Sequence, residues 1–167
     1  KRLNGHNYVE RTVIKAIKNN IAIYACHTNL DNVLHQGVNE KFAEKLNLKN
    51  GRILAPMSGQ LLSLVVYIPI SHFETVQNAL FLAGAGDIGN YSECGFSHEG
   101  LGTFKPMDGS MPYIGEQGKR TAENEQRLEV VLPKYKLGEV LSAMNAAHPY
   151  EEIAYQVNEL KNSLQDV

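Results

Sequence analysis

"LVVYIP", Leu64 to Pro69, and "EVVLP", Glu129 to Pro133, are two apolar stretches that each end in proline, and their likeness decides the fold. A shift of 64 positions lays Val66 on Val130, Ile68 on Leu132, Phe73 on Leu137, Val76 on Val140 and Leu80 on Met144. Both copies read alike: a run rich in β-branched residues makes a strand, the proline stops it, and apolar residues at helical spacing follow. Each helix leads to a further strand. One spans Ser92 to Phe104, with a break expected near Gly100 and Gly102; the other spans Glu151 to Val157, where Ile153, Tyr155 and Val157 alternate. The repeat predicts βαβ-βαβ, the split arrangement of a ferredoxin-like sandwich. Between its halves, Lys105 to Asn124 is a loop by its Gly, Pro and charge content, and its length marks it as functional or disordered.

The first of these helices carries Ser71 and Glu74, the S-x-x-E pattern of a capping box, and runs into "FLAGAGDIGNY", Phe81 to Tyr91. Gly84, Gly86 and Gly89 have the spacing of a dinucleotide-binding fingerprint, but that motif needs a strand before the glycines and a helix after them. Here a helix enters. Gly84 therefore reads as the left-handed residue that closes it, and "GDIGNY" as a turn.

Upstream, residues 7–20 read as a helix, with Asn7 and Glu10 at capping positions and Val9, Val13 and Ile17 on one face. "IAIYACH", Ile21 to His27, reads as a strand, and Val38 to Leu46 as a second helix striped by Val38, Phe42 and Leu46. One strand alone leaves its backbone groups unpaired. Residues 1–56 are thus expected to be part of a larger α/β sheet, residues 57–160 a ferredoxin-like domain and residues 161–167 a return linker. The fold class is α/β and α+β.

The 16 Lys and Arg against 18 Asp and Glu give a formal charge of -2, so no overall pull toward nucleic acid or an anionic membrane is expected. The longest apolar run, Leu61 to Ile70, is far short of the ~20 residues a bilayer needs, and nothing resembles a signal peptide. Cys26 and Cys94 make neither a disulfide framework nor a cysteine zinc site and read as reduced, buried, cytoplasmic thiols. The chain starts at Lys1 rather than Met, as a piece of a longer protein would.

Three stretches bear on chemistry. "HTNLD", His27 to Asp31, follows the first expected strand, where open α/β sheets place ligands; a carboxylate near an imidazole can bind a divalent metal or exchange protons, while Thr28, Asn29 and Asp31 equally suit turn hydrogen bonds. "HPYEE", His148 to Glu152, has a four-residue spacing that serves a metal only on a helix, and Pro149 stops the helix at His148. On a strand the two side chains would lie about 13 Å apart. "GFSHEGLGTFKP", Gly95 to Pro106, suits anion capture by backbone N–H groups or a bulged, bent strand.

At "YACHTNLDNVLHQGVNEKFAEKL", "AGAGDIGNYSECGFSHEGLGTFKP" and "HPYEEIAY", the sequence resembles the GTP cyclohydrolase I type 2 homologues, the NIF-three-like dinuclear-metal proteins. The resemblance extends over essentially the whole chain. It implies a PII-like or CutA-like domain inserted into an α/β metal-binding domain. It also implies a divalent metal pair in the whole protein and a metal-dependent hydrolase, with a nucleotide-like compound as one candidate substrate and the substrate itself left open. In this chain only Asp31 matches a family metal ligand, with His27 as a neighbour that orients it; the motifs supplying the remaining ligands are absent, so tight metal binding and activity are not expected of this chain alone. The competing implication is a non-enzymatic regulatory or assembly module, trimeric through the insert, part of a larger ring and taking a small-molecule ligand.

Overall fold

The computed structural model describes residues 3–164. They form two compact units that divide between Arg52 and Ile53.

The first unit holds α1 (Tyr8–Lys18), the single turn α2 (Thr28–Asp31) and α3 (Val38–Lys45). Asn7 caps α1 as its sequence position predicts: its side-chain oxygen accepts the Glu10 N–H at 2.9 Å, and the Glu10 carboxylate accepts the His6 N–H at 3.0 Å. Ala16 is the buried apolar residue here, while Val9, Ile17, Phe42 and Leu46 are exposed. Much of each apolar stripe is therefore left open to solvent, with Val13 and Val38 partly buried. Ile21 to His27 is not a strand; Ile21–Cys26 carries no regular secondary structure and no ladder partner, and the backbone enters α2 at Thr28. Period-2 apolar patterning makes a strand only where another strand supplies hydrogen bonds.

The second unit is the ferredoxin-like sandwich. Strands β1 (Leu61–Pro69), β2 (Gly95–Phe104), β3 (Thr121–Pro133) and β4 (Tyr155–Glu159) alternate with α4 (Phe73–Leu82) and α5 (Leu137–Ala147) in the order βαββαβ. The sheet order is β2-β3-β1-β4 and every pairing is antiparallel. In the centre, Leu62 pairs with Leu132, Leu64 with Val130 and Val66 with Leu128. These side chains point to one face and, with Ile68, pack on Val76 and Leu80 of α4 and Val140 and Met144 of α5, forming a closed core. Both prolines do what the repeat implies. Pro69 and Pro133 end their strands, and a 3₁₀ turn, Ile70–His72 or Lys134–Lys136, steers each chain into its helix.

That turn displaces the expected capping box. Ser71 lies inside the 3₁₀ segment, α4 starts at Phe73, and its N-cap makes no side-chain hydrogen bond. At the other end Gly84 behaves as predicted. Its φ is +95°, its N–H donates to Phe81 O, and the Ala85 N–H donates to Leu80 O, a Schellman closure. A helix does enter these glycines, so the dinucleotide-binding reading fails on its context.

Other boundaries shift. β2 starts at Gly95 and runs unbroken through Gly100 and Gly102, because each faces a residue of β3 in a continuous ladder. β3 already begins at Thr121, which shortens the loop to residues 105–120. The last strand begins at Tyr155 rather than Glu151, since the HPYEE corner is needed to return the chain. Cys26 is exposed and Cys94 half-buried, contrary to the expected burial of both. No helix of the described residues is long and apolar enough to cross a membrane.

Candidate functional site

The face of the sheet opposite the helices carries the polar residues of β1 and β3. Near its middle, Ser63 Oγ donates to Glu129 Oε1 at 3.0 Å and Arg127 Nη1 donates to Glu129 Oε2 at 3.0 Å. Arg127 first, and Ser63 after it, hold the Glu129 carboxyl below the usual range. Further along the same face the polar residues give way to aromatic ones. There a cavity of about 490 Å³ is bounded by the ends of β1 and β2, the loop after β2 and the HPYEE corner.

Glu125 forms the acidic wall of this cavity. It is 8% exposed, and its carboxylate leans across the strand pair over Gly102, where a Cβ would collide with it. A glycine inside a strand often marks such a close approach. Phe104, Tyr113 and Tyr150 supply the aromatic walls, with ring centroids 6.2 Å apart for Phe104 and Tyr150 and 6.3 Å for Tyr113 and Tyr150. The Tyr150 hydroxyl is buried and has no hydrogen-bond partner. Burial, with the neighbouring Glu125 carboxylate adding to it, pushes the phenol pKa up, so Tyr150 stays protonated.

His148 fastens this corner to the sheet. It closes α5 as the sequence predicts, but its ring is buried. Nε2 is 3.0 Å from Tyr67 O, and Nδ1 accepts the Tyr150 N–H at 3.1 Å. The carbonyl only accepts and the amide only donates, which assigns the neutral Nε2–H tautomer. Burial lowers its pKa, the Tyr67 carbonyl acting in the opposite sense. Both nitrogens are thus committed, and His148 does not join Glu152 in a metal site. Glu151 ties the loop to the cavity, its Oε2 accepting the Met111 N–H at 2.8 Å. Inside the loop, Gly118 N–H donates to Pro106 O at 2.8 Å and Gln117 Nε2 to Ser110 O at 2.8 Å. The segment that composition marked as a loop is therefore internally bonded.

In the first unit, Asp31 and His27 lie one helical turn apart. Nδ1 of His27 is 4.0 Å from Asp31 Oδ2, and the side chains are 94% and 44% exposed. The pair forms, but with no third donor: among the described residues no group of three or more His, Cys, Asp or Glu side chains could hold a metal ion. A tight divalent site needs several ligands in fixed geometry, which Asp31 and His27 do not supply by themselves.

Sequence reasoning overlooked Glu125 and Tyr150. The available signal was Gly102, read as a break in β2 rather than as room for a neighbouring side chain. Phe104, Tyr113 and Tyr150 are too far apart in sequence to announce a shared wall.

Comparison with known proteins agrees with this architecture. The family described as Duf34/NIF3 (NGG1p interacting factor 3) matches residues 1–165. The Bacillus subtilis protein named GTP cyclohydrolase 1 type 2 homolog is 49% identical over 148 residues, which is 88% of this chain and 39% of that protein. The Mycobacterium tuberculosis protein of the same name is 40% identical over 147 residues, covering 87% of this chain and 38% of its own length. Among solved structures, the Bacillus cereus protein related to NIF3 superposes with a TM-score of 0.78 at 43% identity, over 99% of this chain and 43% of its own. The chain thus spans about two fifths of the relatives it matches. On the matched length and identity, the chain belongs to the Duf34/NIF3 family.

Proposed function

We propose that the whole protein is a metal-dependent hydrolase with a divalent metal pair, to which this chain contributes Asp31 as one ligand and His27 as the residue that orients it. The observation that carries this reading is the exposed His27–Asp31 pair, 4.0 Å apart on one turn, in a member of the Duf34/NIF3 family. A bound pair of divalent ions would supply an activated water and a clamp on the attacked group. The name of the relatives, GTP cyclohydrolase 1 type 2 homolog, points to a nucleotide-like substrate. The test is metal content and metal titration of the full-length protein. Wild type should hold two divalent ions per chain and Asp31→Ala should lose stoichiometric binding; equal stoichiometry in both removes Asp31 from the site.

A second reading concerns the ferredoxin-like unit itself: a regulatory and assembly module that trimerises, joins a larger ring and takes a small ligand. The cavity at Glu125 favours the ligand role. Exposed apolar side chains on both edge strands, Phe96 and Leu101 on β2 and Tyr155 and Val157 on β4, favour assembly. Light scattering of the metal-stripped protein should give a multiple of three chains, and a monomer rejects the trimer.

A further inference from the structure

We propose that the cavity of the ferredoxin-like unit is a binding site for a small organic cation, an alkylammonium or guanidinium group, whose charge rests against Glu125 among the rings of Phe104, Tyr113 and Tyr150. The proposal builds on the second reading above, that this unit takes a small ligand, and names its chemistry.

A carboxylate removed from water is costly unless a cation or several donors face it. Glu125 is 8% exposed, and among the described residues no Lys, Arg or His forms an ion pair with it. Arg127, two positions along the same strand face, is turned to Glu129 instead. The acid is also given room, since β2 carries glycine where any side chain would push the carboxylate away. The site is built for a negative charge, and no ion pair among the described residues neutralises it.

The walls suit a cation as well. Aromatic faces are negative in their quadrupole, and several rings around one point attract a cation and exclude a hydrated anion. Phe104 and Tyr113 flank Tyr150 at 6.2 and 6.3 Å, close enough to wall one small group. Tyr150 adds a buried hydroxyl without a partner, which can accept an N–H from the ligand while donating toward Glu125. Glu151 and Glu152 stand on the lining and Lys105 is its one cation, so the balance of charge favours a positive guest. A phosphate-bearing ligand meets three carboxylates. The three carboxylates do not converge: among the described residues no group of three or more His, Cys, Asp or Glu side chains could hold a metal ion, so a bare divalent ion is a poor guest. The volume of about 490 Å³ lies in the range of small-molecule sites and leaves room for a small organic cation.

Binding would also reach the loop. Glu151 holds the Met111 N–H, and Met107, Ser110 and Pro112 line the same cavity, so an occupant touches the segment that bounds it.

The test is calorimetry on the full-length protein with choline and agmatine, set against 3,3-dimethylbutan-1-ol, the uncharged isostere of choline, and ATP. At least one cation should bind, the isostere should not, and Glu125→Gln should weaken the cation by about tenfold or more with an unchanged melting temperature. Tyr150→Phe, which keeps the ring, should weaken it less. Equal binding of the isostere, or equal affinity in Glu125→Gln, overturns the cationic assignment and leaves a ligand-binding unit. Binding of ATP alone in this cavity does the same. If none of the four binds, both the assignment and the ligand role fall. If Glu125→Gln instead dissociates the oligomer while no cation binds, a basic side chain of a second copy fills the cavity, and the proposal is wrong.

Discussion

His148 and Tyr67, 81 positions apart, are joined by a 3.0 Å hydrogen bond from the imidazole Nε2–H to the Tyr67 carbonyl. The same ring accepts the Tyr150 N–H at Nδ1. One neutral histidine therefore ties the end of α5 to β1 and fixes the backbone at the residue whose ring walls the cavity. Replacing it leaves a part-buried carbonyl and a part-buried amide to find other partners. His148→Ala should lower stability by about 1–3 kcal/mol, and chemical denaturation monitored by circular dichroism measures it.

The same histidine sets a pH dependence. Burial holds its folded pKa below the ordinary imidazole value, so the unfolded chain takes up the proton first, near pH 6.5. Its contribution is complete above that value and is lost as pH falls from there through the folded pKa. Melting temperatures of wild type and His148→Gln should therefore differ most above pH 7 and converge toward pH 5. A constant difference across that range would show that His148 does not titrate with unfolding.

Two glycines separate backbone strain from collision. At Gly84, with φ +95°, an added Cβ would meet Lys136 side-chain carbons no closer than 3.5 Å. Gly84→Ala therefore costs mainly the left-handed conformation, about 1–2 kcal/mol. Gly102 has an ordinary φ, but its Cβ would strike the Glu125 carboxylate. Gly102→Ala should move Glu125 and weaken whatever binds beside it. Urea titration reads the first effect, and ligand titration of the folded variant reads the second.

Burial contrasts sharply between the units. Leu64 and Met144 are fully buried in the sandwich, whereas Phe42 in α3 is 65% exposed. Leu64→Ala or Met144→Ala should cost about 2–5 kcal/mol, and Phe42→Ala should leave the melting of the sandwich within error. Limited proteolysis should cut first before residue 53 and leave a resistant core beginning near Met57. Rapid cleavage between Leu61 and Val157 would contradict an independently folded sandwich.

The sandwich was legible because its information is local and written twice. Val66, Ile68, Val76 and Leu80 repeat as Val130, Leu132, Val140 and Met144, and period and spacing alone name the strands and helices they build. Its boundaries were less legible. Ser71 has the partner of a capping box, yet the turn forced by Pro69 takes that position. "IAIYACH" has the pattern of a strand, but a strand depends on a neighbour that local pattern does not contain.

From sequence by itself came the βαβ-βαβ order, the helix-closing role of Gly84, the family and the singling out of Asp31 and His27. Tertiary structure alone decided the cavity. Glu125, Phe104, Tyr113 and Tyr150 belong to different strands and connections, and they meet because antiparallel pairing lays β2 on β3 while His148 folds the last corner back onto β1. Propensity and period act over a few residues, whereas the burial of a charge depends on which distant segments close over it.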